Sequence, residues 1–122
     1  MIPTLLVRKF TRHSALALFL AGLLTGCKPL PPSKPEAQFT PEEARGARVY
    51  QANCARCHYP TTTKGLKGPG LQALTKVKSM PSGAPPTDDR ITQVILHGHG
   101  MMPAVPVTDE DLQSLLDYLH TL

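Results

Sequence analysis

The clearest hydrophobic pattern in the chain lies close to its carboxyl terminus. Leucines there recur at i, i+3, i+4 and i+7, which is the spacing of one face of an α-helix. Thr108 and three following acidic residues precede them, and a threonine cap followed by acids is typical of a helix start. The pattern predicts an amphipathic helix that begins after Thr108 and buries its leucine face, which consists of Leu112, Leu115, Leu116, Leu119 and Leu122.

An earlier segment carries an even stronger signal for the start of a helix. Thr40, Pro41 and Glu43 combine an N-cap, a proline at the first helical position and the spacing of a capping box. These residues predict a helix over about 41–54.

A third helix is predicted after Thr87, because two aspartates follow this cap residue. It should end at Gly98 and bury Ile91, Val94 and Ile95. Residues 71–77 also show helical spacing, at Leu71, Leu74 and Val77, and predict at most one further short helix. The predicted fold class is therefore all-α, with three main helices.

The amino terminus has a different composition. Residues 1–26 combine the basic Arg8, Lys9 and Arg12 with an apolar stretch that is too short to span a bilayer, as in a secretory signal. The stretch ends in Leu24-Thr25-Gly26-Cys27, which resembles the lipobox of bacterial lipoproteins and predicts acylation of Cys27. The alternatives are a cleaved signal with a stray cysteine and an uncleaved anchor. Lys28 follows in place of the aspartate typical of inner-membrane retention, which favours the outer membrane without deciding the question.

A proline-rich segment, residues 28–39, separates Cys27 from the first predicted helix. It contains four prolines and no apolar period, so it is predicted to be a linker biased to polyproline II. At about 3.1 Å per residue it could extend roughly 35 Å. The favoured interpretation is a generic spacer. The alternative is a linker that holds the domain away from the membrane and lets it swing between membrane partners. The predicted organisation is thus signal (1–26), lipidated cysteine and tether (27–39), and one domain (40–122).

Charge and composition narrow the function classes. The formal charge of +4 includes three basic residues of the leader, without which ten basic residues face nine acidic ones. Nothing in this balance indicates a nucleic-acid surface. Aromatic content is only 5% and tryptophan is absent, which suits a small core that a cofactor helps to fill.

The candidate chemistry lies in Cys54-Ala55-Arg56-Cys57-His58. A C-x-x-C-H motif is the pattern of c-type haem attachment: two thiols reach the two vinyl groups, and the histidine provides the proximal iron ligand. A redox dithiol or half of a zinc site is the alternative. Zinc would require four ligands, and the one remaining cysteine is Cys27.

Further motifs follow in a fixed order along residues 40–122, and together they resemble a class I cytochrome c domain. They are Gly46, Tyr50, Cys54-x-x-Cys57-His58, Gly68-Pro69-x-Leu71, Met102-Pro103 and Leu115–Leu119 with Tyr118.

The resemblance implies roles for individual residues. The Pro69 carbonyl would accept a hydrogen bond from the His58 imidazole, Met102 would be the sixth iron ligand, and Gly46 and Tyr118 would form a helix crossing. Other candidates for the sixth ligand remain, namely Met101, Met80, His97 and His99.

These observations predict an exported, lipid-anchored protein that faces the periplasm, carries one covalent haem c and transfers single electrons without being an enzyme. Its partners would be redox proteins and the membrane, and it would be a monomer or a subunit of a complex. The alternatives are a haem subunit of a larger oxidoreductase, a small haem enzyme or gas sensor with a labile sixth ligand, and a haem-free lipoprotein. Four lysines, at positions 64, 67, 76 and 78, are interpreted as a solvated face.

Overall fold

Three α-helices provide the regular structure of residues 28–122, the part of the chain that the computed structural model describes. They are α1 (Pro41–Asn53), α2 (Asp88–His97) and α3 (Asp109–His120), and a 3₁₀ turn (Glu36–Gln38) precedes α1. Within these residues no strand is formed. The all-α prediction is confirmed. Each helix begins where it was predicted, and α1 and α2 end within one residue of their predicted ends.

The helix starts follow from local hydrogen bonds. At α1 the Thr40 hydroxyl accepts a hydrogen bond from the Glu43 amide at 3.1 Å, and the Glu43 carboxylate accepts one from the Thr40 amide at 2.7 Å. Thr87 and Thr108 accept in the same way from the third amide of α2 and of α3. Each cap satisfies backbone donors that would otherwise lack a partner, and each is worth about 1 kcal/mol.

Helices α1 and α3 cross in close contact. At Gly46 a β-carbon would collide with the Ser114 carbonyl and come within 2.7 Å of Tyr118 Cβ. Only glycine therefore lets the two backbones approach so closely. Beside the crossing, Arg45 binds Asp111 at 2.9 Å and also pairs with Glu110.

The core lies along this crossing. Tyr50, Leu115 and Leu122 are fully buried, and Ile91 and Ile95 of α2 complete the cluster from the side. The leucine face predicted for the last helix is thus the face that packs, although Leu112 at its start is only half-buried.

Residues 71–77 form a series of turns and not a helix. Ala73 has a φ of 56°, in the left-handed region, and is completely buried. Hydrogen bonds of Leu74 to Leu71 and of Lys76 to Ala73 close single turns. The left-handed residue interrupts a continuous helical ladder, which explains why the helical spacing there does not yield a helix.

Candidate functional site

The C-x-x-C-H pentapeptide forms a tight turn at the end of α1. Cys54 is the C-cap residue, and its carbonyl accepts hydrogen bonds from the Cys57 amide at 2.9 Å and the His58 amide at 3.0 Å. Both thiols are free and half-buried. The turn therefore places two thiols and one imidazole within a single, hydrogen-bonded loop.

Tyr50 holds this turn at both ends. Its carbonyl accepts from the amides of Cys54 (2.7 Å) and Ala55 (3.1 Å), and its hydroxyl donates to the His58 carbonyl at 2.6 Å. Burial raises the pKa of the Tyr50 phenol well above its usual value, so the hydroxyl stays protonated as a donor. The first helix and His58 are thereby linked through one buried side chain.

The orientation of the His58 ring is fixed from the other side. Its Nδ1 lies 2.8 Å from the Pro69 carbonyl oxygen. A carbonyl can only accept, so Nδ1 carries the proton and Nε2 keeps its lone pair free for a metal ion. This is the contact that the sequence resemblance implied for Pro69.

Gly68 allows the loop to lie against the imidazole. A β-carbon at this position would collide with the ring and come within 2.9 Å of both ring nitrogens. The Gly68 amide also donates to the Cys57 carbonyl at 2.8 Å, and the Leu71 amide donates to the Tyr59 carbonyl at 2.9 Å. Residues 67–69 are thus tied directly to the pentapeptide, and Leu71 is tied to the residue that follows it.

The environment of Cys54 keeps its thiol neutral. Burial, with a smaller contribution from the neighbouring Cys57, raises the pKa of the Cys54 thiol to about 11. Without an attached cofactor this sulfur is therefore a protonated thiol near neutral pH.

The loop after α2 contains the predicted sixth ligand. Gly98 ends the helix with a φ of 76°, and His99 and Met102 exchange two backbone hydrogen bonds of 3.0 Å around Gly100. Val105 then donates to the Ile95 carbonyl at 2.8 Å, which ties the loop back to α2. The backbone position of Met102 is therefore well defined.

The candidates for the sixth ligand differ in exposure. Met101 is 95% exposed, whereas Met102 is half-buried. His97 and His99 are both exposed. Met80 is half-buried and packs against the core cluster, so it competes with Met102 more closely than Met101 does.

The surroundings of the pentapeptide suit a large apolar cofactor. Leu71, Leu74, Val105 and Val107 contact the core cluster but remain only half-buried. Residues 54–87 contain no helix or strand, which is long for a connection in a compact domain.

Across residues 28–122 no three His, Cys, Asp or Glu side chains form a metal-ion site, so the cysteine pair lacks the additional ligands that zinc would need. Two thiols, a free imidazole nitrogen and half-covered apolar side chains fit a haem c.

Sequence reasoning missed two of these contacts. It named Tyr50 and Gly68 only as parts of motifs and assigned no role to the Tyr50 hydroxyl. A signal for the first was present, because Tyr50 lies one helical turn before Cys54 on the buried face of α1.

The predicted lipidation residue Cys27 and the signal segment 1–26 lie outside the described residues. In the part of the chain that is described, none of the helices has the length and apolar character needed to cross a bilayer.

Comparison with known proteins gives two matches. Residues 41–119 match the family model described as cytochrome c oxidase, cbb3-type, subunit III. The chain is also 30% identical over 88 residues to cytochrome c6 from Picosynechococcus sp. (strain ATCC 27264 / PCC 7002 / PR-6). That alignment covers 66% of this chain and 74% of the relative.

Proposed function

Because this chain belongs to the cytochrome c family as a monohaem class I domain, with haem c as its cofactor, we propose that it carries single electrons while tethered to a membrane. The setting would be a respiratory chain on the periplasmic side of that membrane. The observation that carries the proposal is the contact of His58 Nδ1 with the Pro69 carbonyl, which leaves the lone pair of Nε2 free for a metal ion. The haem supplies a reversible one-electron change at its iron.

The protein's own residues attach and orient the cofactor. The Cys54 and Cys57 thiols would hold the haem by adding to its two vinyl groups, and His58 Nε2 would bind its iron. Pro69 fixes the tautomer of His58 and raises the basicity of its ligating nitrogen. Tyr50 holds the backbone carbonyl of the same residue. A pyridine haemochrome assay on protein made with c-type maturation tests the attachment, and absence of covalent haem would leave only a haem-free lipoprotein.

Met102 is proposed as the sixth ligand. Its support is the hydrogen-bonded turn with His99 and the half-buried position of its side chain, in contrast to the exposed Met101. A methionine ligand stabilises ferrous iron and raises the potential relative to two histidines. With His58 and Met102 both bound to the iron, the haem would have no coordination position left for a substrate, which supports a carrier and not an enzyme.

Carbon monoxide distinguishes the carrier from a haem enzyme or gas sensor. Added to the reduced protein, it should bind slowly or incompletely if a protein ligand occupies the sixth position. Rapid and complete binding would show an open or labile position and would favour the enzyme or sensor.

The membrane attachment is proposed from the sequence alone. Cys27 at the end of the lipobox-like segment is the acylation site, and two or three acyl chains give stable anchoring where a single chain is marginal. Substitution Cys27→Ala should release the protein from membranes. Retention of this variant would mean that the lipobox assignment is wrong or that the leader is not cleaved.

A role as the haem subunit of a larger oxidoreductase is the second candidate, because the matched family model is described as a subunit of a cytochrome c oxidase. Purification under mild detergent conditions separates the two: a free carrier elutes alone, whereas a subunit elutes with stoichiometric partners.

A further inference from the structure

We propose that residues 31–39 form a docked strap on the helical domain, in place of the free tether that their proline content predicts. The central contact is made by Lys34. Its amide donates to the Thr121 carbonyl at 2.7 Å, beyond the end of α3, and its ammonium group binds the Glu43 carboxylate at 2.6 and 2.9 Å. One residue thus connects the start of α1 with the end of α3.

The carboxyl end of the strap is held by an aromatic contact. The Phe39 ring meets the Tyr118 ring edge to face, with centroids 5.8 Å apart and an interplanar angle of 81°. Phe39 is half-buried and packs against the core cluster. The 3₁₀ turn before it, closed by the amides of Gln38 (2.9 Å) and Phe39 (3.0 Å), directs the ring toward α3.

The amino end of the strap also touches the domain. Gln72 donates a side-chain hydrogen bond of 3.3 Å to the Pro31 carbonyl. The hydroxyl oxygen of Ser33 is buried and has no hydrogen-bond partner within residues 28–122. A segment that merely floated beside the domain would not bury a hydroxyl group, so this atom indicates close contact.

The strap changes what the anchored domain can reach, and this consequence rests on the lipid anchor proposed above. If residues 28–39 were all free, the domain could move roughly 35 Å from the membrane. With Lys34 fixed on the domain, the free chain after Cys27 is at most residues 28–33 and extends about 20 Å. We therefore infer that the domain stays close to the membrane surface and does not swing over the roughly 35 Å that a free tether would allow.

Hydrogen–deuterium exchange of the haem-loaded mature protein tests the strap directly, because it reads the segment itself. The hydrogen-bonded amides of the strap, those of Lys34, Gln38 and Phe39, should exchange at least about tenfold more slowly than in an unfolded chain. The Lys34 amide reports docking itself, because it donates to the Thr121 carbonyl. Exchange at the unfolded rate would overturn the proposal.

Three variants sharpen the test. Lys34→Gln removes the ion pair with Glu43 and should speed exchange of residues 31–39 by about threefold, with no change in α2. Lys28→Gln is the matched control, because it removes a lysine that precedes the strap. Ser33→Ala removes the unpaired buried oxygen and should leave exchange equal or slower. If residues 31–39 exchanged at the same rate in Lys34→Gln and in Lys28→Gln, the assigned ion pair between Lys34 and Glu43 would be contradicted.

The Cys27→Ala variant separates failure of the strap from failure of the anchor. Release from membranes with unchanged exchange of residues 31–39 supports both proposals. Retention on membranes with a protected strap refutes only the anchor, and release with an unprotected strap refutes only the strap.

Discussion

Two regions of the molecule achieve order in different ways. The helical half, α1 and α3, packs on itself across Gly46, and Tyr50 and Leu115 are fully buried there. The loop half, residues 54–87 and 98–107, holds the proposed iron ligands but has a single buried residue, Ala73. The comparison teaches that the loop half lacks a core of its own. Several of its apolar side chains, such as Leu71, Leu74 and Val105, are only half-buried, and a haem would provide the body against which they pack.

The largest expected effect comes from removing the cofactor. The double variant Cys54→Ala, Cys57→Ala should lose covalent haem completely. Hydrogen exchange should then rise far more in the loop half than in α1 and α3, because only the loop half depends on the haem for burial. An equal rise in both halves would contradict this division of the molecule.

A smaller but still large effect is expected within the helical half. Gly46→Ala places a β-carbon against the Ser114 carbonyl, which should force the helices apart and lower the free energy of unfolding by about 3 kcal/mol. Denaturant unfolding of the haem-loaded protein measures this change. Gln51→Ala, an exposed position on the same helix, serves as the control and should change stability by less than about 0.5 kcal/mol. A tolerated Gly46→Ala would mean that the crossing is looser than described.

The link between the halves should show an intermediate effect. Tyr50→Phe keeps the ring but removes the donor to the His58 carbonyl, at a cost of about 1–2 kcal/mol in unfolding free energy. The reduction potential should also shift, since the backbone that carries the proximal ligand loses its support. Tyr59→Phe, at an exposed tyrosine, provides the comparison and should leave both quantities unchanged.

The smallest effect concerns the ion pair between the strap and α1. The hydrogen bond from Lys34, followed by that from the Thr40 amide, lowers the pKa of Glu43 below its ordinary value. A carboxyl with a lowered pKa in the folded state stabilises the fold above its unfolded pKa, and the benefit disappears as pH falls through the folded pKa. Glu43→Gln should therefore cost less than about 1 kcal/mol at pH 7 and nothing at pH 2, as measured by denaturant unfolding at both pH values. A cost that persists at pH 2 would point to packing and not to charge.

The sequence predicted those features of the fold that depend on residues close together in the chain. Caps such as Thr40 and Thr108 act through amides three positions away, so the helix bounds could be inferred without knowledge of the fold. The contact between His58 and Pro69 was accessible because it belongs to a motif with fixed spacing.

Contacts between distant residues were not accessible in this way. The turns at 71–77 depend on the buried, left-handed Ala73, whose conformation no local pattern indicates. The strap depends on a hydrogen bond from Lys34 to Thr121, at the opposite end of the domain. Local amino-acid composition did not predict the conformation of either segment, because contacts with distant residues decide it.

The central claim is that the loop half holds a haem between His58 and Met102, and one optical measurement tests it most directly. The ferric protein should show the charge-transfer band of a thioether–iron bond. Met102→Ala should abolish this band, and Met101→Ala, which alters an exposed neighbour, should preserve it. Survival of the band in Met102→Ala, with its loss in Met80→Ala or Met101→Ala, would contradict the assigned ligand. Absence of the band from the natural protein would contradict methionine ligation itself.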